Sequence, residues 1–198
     1  MSTAAIAFKA RTGRAIVVAL GGDAAAPRVL ERTEVPLLPA GEFAPYHAAE
    51  GLVGAAAQRH VAASTARARR LAEQALRDVA QRCSAAGHRV RGCAVLVGPG
   101  MPPWSTDEIL AVHVRMHQAE GELFRNVLVD AVRDSGSALT TLPEKTALDA
   151  AAQRLKVPRA GLDAEIARLG REAGAPWGKD QKEAAAAALV VLADAKDC

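Results

Sequence analysis

Asp180 and Glu183 stand three residues apart in Trp177-Gly178-Lys179-Asp180-Gln181-Lys182-Glu183, just ahead of the alanine-rich run Ala184 to Leu192. One helical turn stacks both carboxylates on the same face, which is how a divalent-metal site on a helix is often begun. The competing reading is a pair of ordinary first-turn acids stabilised by the helix dipole. A second group, His113, His117 and Glu120, recurs at i, i+4 and i+7, and His-x-x-x-His on a helix is a credible metal-ligand spacing. Ile109, Val112, Met116, Leu123 and Val127 lie nearby on the wheel, however, and such histidines are more often partly buried and hydrogen-bonded, so no metal site is assigned. Arg67, Arg70 and Arg77 share the polar side of another helix and, with Lys179 and Lys182, could track phosphates. Glu73 and Asp78 interrupt that arginine face. Trp104 and Trp177, flanked by Pro or Gly, could stack bases or cap the core, and capping is the favoured reading.

Other chemistries fail on their residues. Gly98-Pro99-Gly100-Met101-Pro102-Pro103 follows an apolar run, as an anion-binding loop would, but prolines remove backbone donors and no Lys-Ser/Thr follows. It reads as a rigid connector. There is no G-x-S-x-G elbow, and no cysteine is set with His and Asn as a nucleophile. Cys83, Cys93 and Cys198 are scattered and odd in number, which supports neither a disulfide framework nor a zinc ribbon and suggests reduced, cytoplasmic thiols. Met1 to Ala10 is interrupted by Lys9 too soon for a secretory signal, and no apolar run is long enough for a membrane span. The balance of 25 Lys and Arg against 22 Asp and Glu is too even to announce a nucleic-acid protein by net charge.

The elements that must position these residues follow from pattern. Ile6 to Ala10 and Ala15 to Leu20 flank Arg11-Thr12-Gly13-Arg14 and read as a hairpin. Arg28 to Leu37 adds a third strand, with Val29, Glu31, Thr33 and Val35 on one side and Leu30, Arg32 and Glu34 on the other. Gly21-Gly22-Asp23 is the expected turn before it. Residues 36–60 form a Pro/Gly-containing insertion, and Ala48 to Cys83 is largely helical, with a boundary at Gly51 and Gly54. Its apolar arc is Ala68, Leu71, Ala72, Ala75, Leu76 and Val79. Cys93-Ala94-Val95-Leu96-Val97 reads as a strand buried on both faces. One long helix is expected from Ser105, with Glu108 completing a capping box, to about Asp134. A fifth strand at Ala138 to Leu142 precedes a helix opened by Pro143. A small helix at Leu162 to Glu172 and a last one from Lys179 to Ala195 complete the order. A single domain over residues 1–198 is expected. Three antiparallel strands followed by helix-separated parallel strands define a five-stranded mixed α/β sheet with helices on both faces.

This order is similar to the ribonuclease H-like fold. Within it, Arg115-Met116-His117-Gln118-Ala119-Glu120-Gly121 resembles the Lys-Leu-Gly-Gln-Ala-Arg-Gly segment of the RuvC family of Holliday-junction resolvases. Thr141-Leu142-Pro143-Glu144-Lys145-Thr146-Ala147 resembles that family's fifth strand, proline and following helix. Asp180 and Glu183 resemble its closing D-x-x-D-A pair. The motifs cover roughly residues 105 to 195, and the N-terminal half matches by strand order. The resemblance implies Mg²⁺-dependent cleavage of branched DNA by carboxylates that hold two ions.

Two departures count against that activity. Lys9 stands closest to the position where the family's first strand carries an aspartate, and Val95-Leu96-Val97-Gly98 lacks the glutamate expected at the end of the fourth strand. A Lys9 ammonium beside Asp180 would replace a cation and offset the repulsion between Asp180 and Glu183. The resemblance therefore implies a non-catalytic RuvC-like nucleic-acid-associated or assembly protein, without cofactor, with DNA or RNA as partner and a homodimer through the long helices. Two rivals stand beside it. One is an active Mg²⁺-dependent nuclease that recruits its missing acids from Asp107, Glu108 or Glu120; the other is a protein-interaction module with no nucleic acid.

Overall fold

The computed structural model describes residues 2–42 and 44–194, so the expected helix end at Ala195 and Cys198 lie outside the described residues. The strands β1 (Ser2–Arg11), β2 (Arg14–Asp23) and β3 (Ala26–Pro36) are consecutive and antiparallel. β4 (His88–Val97) pairs parallel with β1, and β5 (Ala138–Pro143) pairs parallel with β4. The resulting five-stranded mixed sheet has the order β3-β2-β1-β4-β5, with the fourth strand beside the first.

The first turn falls at Thr12-Gly13, where Gly13 has φ +73°, a conformation natural to glycine. The second turn is later than expected. Gly21-Gly22-Asp23 remains inside β2, and Ala24-Ala25 makes the turn, held by the Ala25 N–H donating to Asp23 Oδ1 at 2.8 Å. β3 also departs from simple alternation. Ala19 pairs with Glu31 and Leu20 with Val29, so Leu30 is the extra residue of a bulge. Leu30 and Val35 therefore pack on one face and Val29 on the other, rather than Val29 and Val35 sharing a side.

Strand period assigns the layers. Ala4, Ile6 and Phe8 of β1 face a layer made by α1 (Gly54–Ala85) and α3 (His113–Asp134), through Ala68, Ala72 and Val79 on one helix and Phe124 and Leu128 on the other. Leu71, placed on that apolar arc by the wheel, is only partly buried. Ala5 and Ala7 face the opposite layer of α4 (Ala147–Leu155), α5 (Arg159–Ala173) and α6 (Lys179–Asp194). Every residue of α6 from Glu183 to Leu192 is buried, as expected of a helix that is apolar around most of its circumference. Alanine is the best helix former, and its small side chain lets this backbone lie close over β1 and β2.

The helix boundaries carry three corrections. The long helix expected from Ser105 to Asp134 is divided into α2 (Thr106–Leu110) and α3, because β-branched Val112 takes an extended backbone at φ −140°, ψ 112°. The capping box is present: the Glu108 N–H donates to Ser105 Oγ at 3.3 Å, and the Ser105 N–H donates to Glu108 Oε2 at 2.8 Å. Pro143 closes β5 instead of opening a helix, and a 3-10 turn at Glu144–Thr146 leads into α4. α5 starts at Arg159, three residues before Leu162, because Pro158 has a preset φ and no N–H to satisfy at a helix start. Within the 36–60 insertion there is a 3-10 turn at His47–Ala49, and regular helix resumes at Gly54.

Candidate functional site

Lys9 and Arg11 lie two residues apart on β1, so both point to the α6 side, while Asp180 and Glu183 share one face of the first turn of α6. Packing α6 over β1 brings the two pairs together. The Lys9 side chain is 2% exposed, and its ammonium bonds Glu183 Oε2. It also lies 3.6 Å from Asp180 Oδ1 and 3.5 Å from Glu144 Oε1. Arg11 grips Asp180 with two parallel bonds, Nε to Oδ2 at 2.7 Å and Nη2 to Oδ1. Such a fork is the strongest geometry available to this pair of groups. The Asp180 carboxyl is accordingly held below the usual carboxylate range, first by the Arg11 hydrogen bond and then by the charges of Arg11 and Lys9. The Arg11 guanidinium is pushed up by the same contact.

Glu144 is the acid that the sequence did not single out. It sits one residue past β5, at the C-terminal ends of the parallel strands, and Arg125 of α3 approaches it to 3.5 Å. Its legible signal was position, because sites in open α/β sheets gather at the carboxyl ends of strands. Arg11 had a comparable signal in its i+2 relation to Lys9. Arg125 had none, since its reach depends on the placement of α3. At the end of β4, where the resemblance expects an acid, Gly98 lies against the Arg125 side chain, and a Cβ there would come within 2.9 Å of the guanidinium. The cluster thus sets the carboxylates Glu144, Asp180 and Glu183 against Lys9, Arg11 and Arg125, with the exposed Lys179 at its rim.

The other acids considered as replacements are engaged elsewhere. Asp107 Oδ1 accepts from the Gly54 N–H at 2.9 Å, Glu108 caps α2, and Glu120 Oε1 accepts from the His47 N–H at 3.1 Å. Glu120 therefore does not stand beside His113 and His117 as a third ligand. Those two histidines are exposed, not partly buried, and their Nε2 atoms lie 3.1 Å apart.

The basic residues do not form one surface. Arg67, Arg70 and Arg77 belong to α1 and Lys179 and Lys182 to α6, on opposite layers of the sheet. Arg67 is engaged with Glu42 at 3.0 Å and Ser64 at 2.9 Å, Arg77 donates to Gln74 at 2.9 Å, and Lys179 lies 3.8 Å from Glu183. Among the described residues no ion pair engages Arg70 or Lys182, and both are exposed. Trp177 packs against the α6-side core, with Nε1 donating to the Ile166 carbonyl at 3.1 Å. Trp104 lies under the Arg115 guanidinium, 4.5 Å from the ring centre. Beside Glu144, a cleft of about 710 Å³ opens between the ends of β4 and β5 and is lined by Trp104, Glu122, Arg125 and Lys145.

No protein-family model matches this chain, and no curated protein matches it. Among solved structures it is similar to RuvC of Thermus thermophilus, at 12% identity and a TM-score of 0.53 over 98% of this chain and 97% of that one. It is also similar to T. thermophilus RuvC in complex with Holliday junction substrate, at 13% identity and a TM-score of 0.51 over 98% and 96% of the two chains. The chain has the fold of these RuvC structures, a five-stranded mixed α/β sheet covered by helices. No helix among the described residues is long and apolar enough to cross a membrane.

Proposed function

We propose that this protein is a RuvC-like nucleic-acid-associated protein without two-metal nuclease chemistry. The observation that carries the reading is the Lys9 ammonium, which lies within ion-pair distance of all three clustered carboxylates. Two Mg²⁺ ions need several carboxylate oxygens free to coordinate, together with room for their waters. Here Asp180 is gripped by Arg11, Glu144 is approached by Arg125, and Glu183 is bonded by Lys9. The donor set does not fit the two ions. The fixed cations Lys9, Arg11 and Arg125 stand against these carboxylates in their place, and an ammonium or guanidinium, unlike a metal ion, cannot coordinate and activate a water.

Nucleic-acid association is supported by the fold likeness, which includes a neighbour in complex with Holliday junction substrate, and by the cleft beside Glu144 with Arg125, Lys145 and Trp104 in its wall. Cationic side chains and an aromatic face are the means by which phosphates and unstacked bases are held. The purified protein should be incubated with four-way junction, duplex and RNA–DNA hybrid substrates in Mg²⁺ or Mn²⁺, with binding followed by mobility shift over a range of salt. The expected result is no specific cleavage, together with binding that weakens steeply with salt. Replacing the exposed Arg70 and Lys182, which no ion pair engages among the described residues, should lower the salt slope by about one unit for each residue that touches phosphate. Specific cleavage that disappears in Asp180→Asn would overturn the non-catalytic reading. Absence of any shift at low salt would overturn the nucleic-acid reading in favour of a protein-interaction module.

A further inference from the structure

We propose a transition-metal site of Zn²⁺ type at His47, His113 and His117, separate from the carboxylate cluster. His113 and His117 stand at i and i+4 on α3, and the 3-10 turn at His47–Ala49 brings the third imidazole onto them. One ligand atom of each of the three residues lies within 4.8 Å of the other two. The ring centres are 4.6 to 5.1 Å apart.

Two details go beyond proximity. The first is Glu120, whose side chain is 2% exposed and whose Oε1 lies 2.8 Å from His47 Nδ1 while also accepting the His47 backbone N–H. A carboxylate in this place fixes the proton on Nδ1, turns the ring and leaves the Nε2 lone pair for a metal, the usual arrangement behind a ligating histidine. The second is the 3.1 Å separation of His113 Nε2 and His117 Nε2. Two lone pairs at that distance repel unless a proton or a cation lies between them. For metal–nitrogen bonds of about 2.0–2.1 Å, the edge of a tetrahedron is about 3.3 Å, close to the observed spacing.

Three neutral imidazoles without a thiolate suit Zn²⁺ and exclude Mg²⁺, which takes oxygen ligands. Because His113 and His117 are exposed, the fourth position opens to water. The ion would tie the segment between β3 and α1 more firmly to α3, which that segment already meets through the Glu120 bond to His47 and through Tyr46 packed against Met116 and Ala119. Glu120 is here a positioning residue rather than a ligand.

The test uses the full-length protein, free of any tag and stripped with a chelator, titrated with ZnCl₂ by calorimetry and with CoCl₂ by visible absorption. One equivalent of Zn²⁺ and the intense visible bands of four-coordinate Co²⁺ are expected. His113→Ala and His117→Ala, both surface changes, should each abolish the stoichiometric binding. Glu120→Gln should weaken it by about 10–100-fold if the fold is retained by circular dichroism. Asp180→Asn should leave it unchanged, which separates this site from the carboxylate cluster. Wild-type protein that binds no equivalent of Zn²⁺, or binding that persists when both His113 and His117 are replaced, would overturn the proposal.

Discussion

Replacing Lys9 with methionine removes the buried charge of the ion-pair cluster at Glu183, Asp180 and Glu144 while keeping most of the side-chain volume. Its cost can be apportioned from the geometry. Asp180 keeps the Arg11 fork and Glu144 keeps Arg125, so neither is abandoned. Glu183 is different. Its side chain is 5% exposed, and once Lys9 is gone the nearest cation among the described residues is Lys179, 3.8 Å away and 78% exposed. An exposed pair of that kind contributes about 0–1 kcal/mol. Removing one partner of a buried pair costs about 3–5 kcal/mol, because the remaining charge stays desolvated. The lower end applies here, since Lys179 offers partial compensation. We therefore expect Lys9→Met to lose about 3 kcal/mol at pH 7 by urea denaturation. For a chain of this length that corresponds to a fall in Tm of roughly 6–12 °C. Combining the change with Glu183→Gln should cost less than the sum of the two single changes, by about 1–3 kcal/mol, because the abandoned charge is then absent. A single variant within about 0.5 kcal/mol of wild type, or strict additivity in the double variant, would refute the assignment of Lys9 as the internal counter-ion.

Asp180 gives a pH signature. Its folded-state pKa is depressed, so its stabilising contribution is fully present above the unfolded value of about 3.9 and is lost as pH falls through the folded value. Wild type should be more stable than Asp180→Asn at pH 6, and urea titrations at successively lower pH should show the gap closing below about pH 4; a gap independent of pH would count against the Arg11 fork. Gly170→Ala tests the packing role of Trp177, because a Cβ at Gly170 would overlap the indole ring. A loss of about 1–3 kcal/mol is expected from thermal or urea unfolding, and an unchanged protein would show that the indole moves freely.

The mixed five-stranded sheet was legible in the residue pattern, because three short antiparallel runs followed by strands separated by long helices leave few ways to pair without crossing connections. The sequence by itself also determined which face of α6 bears acids, since helical period alone aligns Asp180 with Glu183. It could not place the turn at Ala24-Ala25 or the bulge at Leu30, which depend on local backbone geometry and on pairing with β2. The break at Val112 was equally hidden, because helical periodicity continues across it. The candidate site divides in the same way. Lys9, Asp180 and Glu183 were visible through type, spacing and resemblance. Glu144, Arg11 and Arg125 joined them only when β5, β1 and α3 were brought to one end of the sheet. His47 lies 66 residues before His113 in the chain, and only tertiary folding sets it between that helix pair and the buried Glu120. Local rules reach neighbours within one helical turn or one strand step, whereas contacts across the sheet are fixed by how the layers pack.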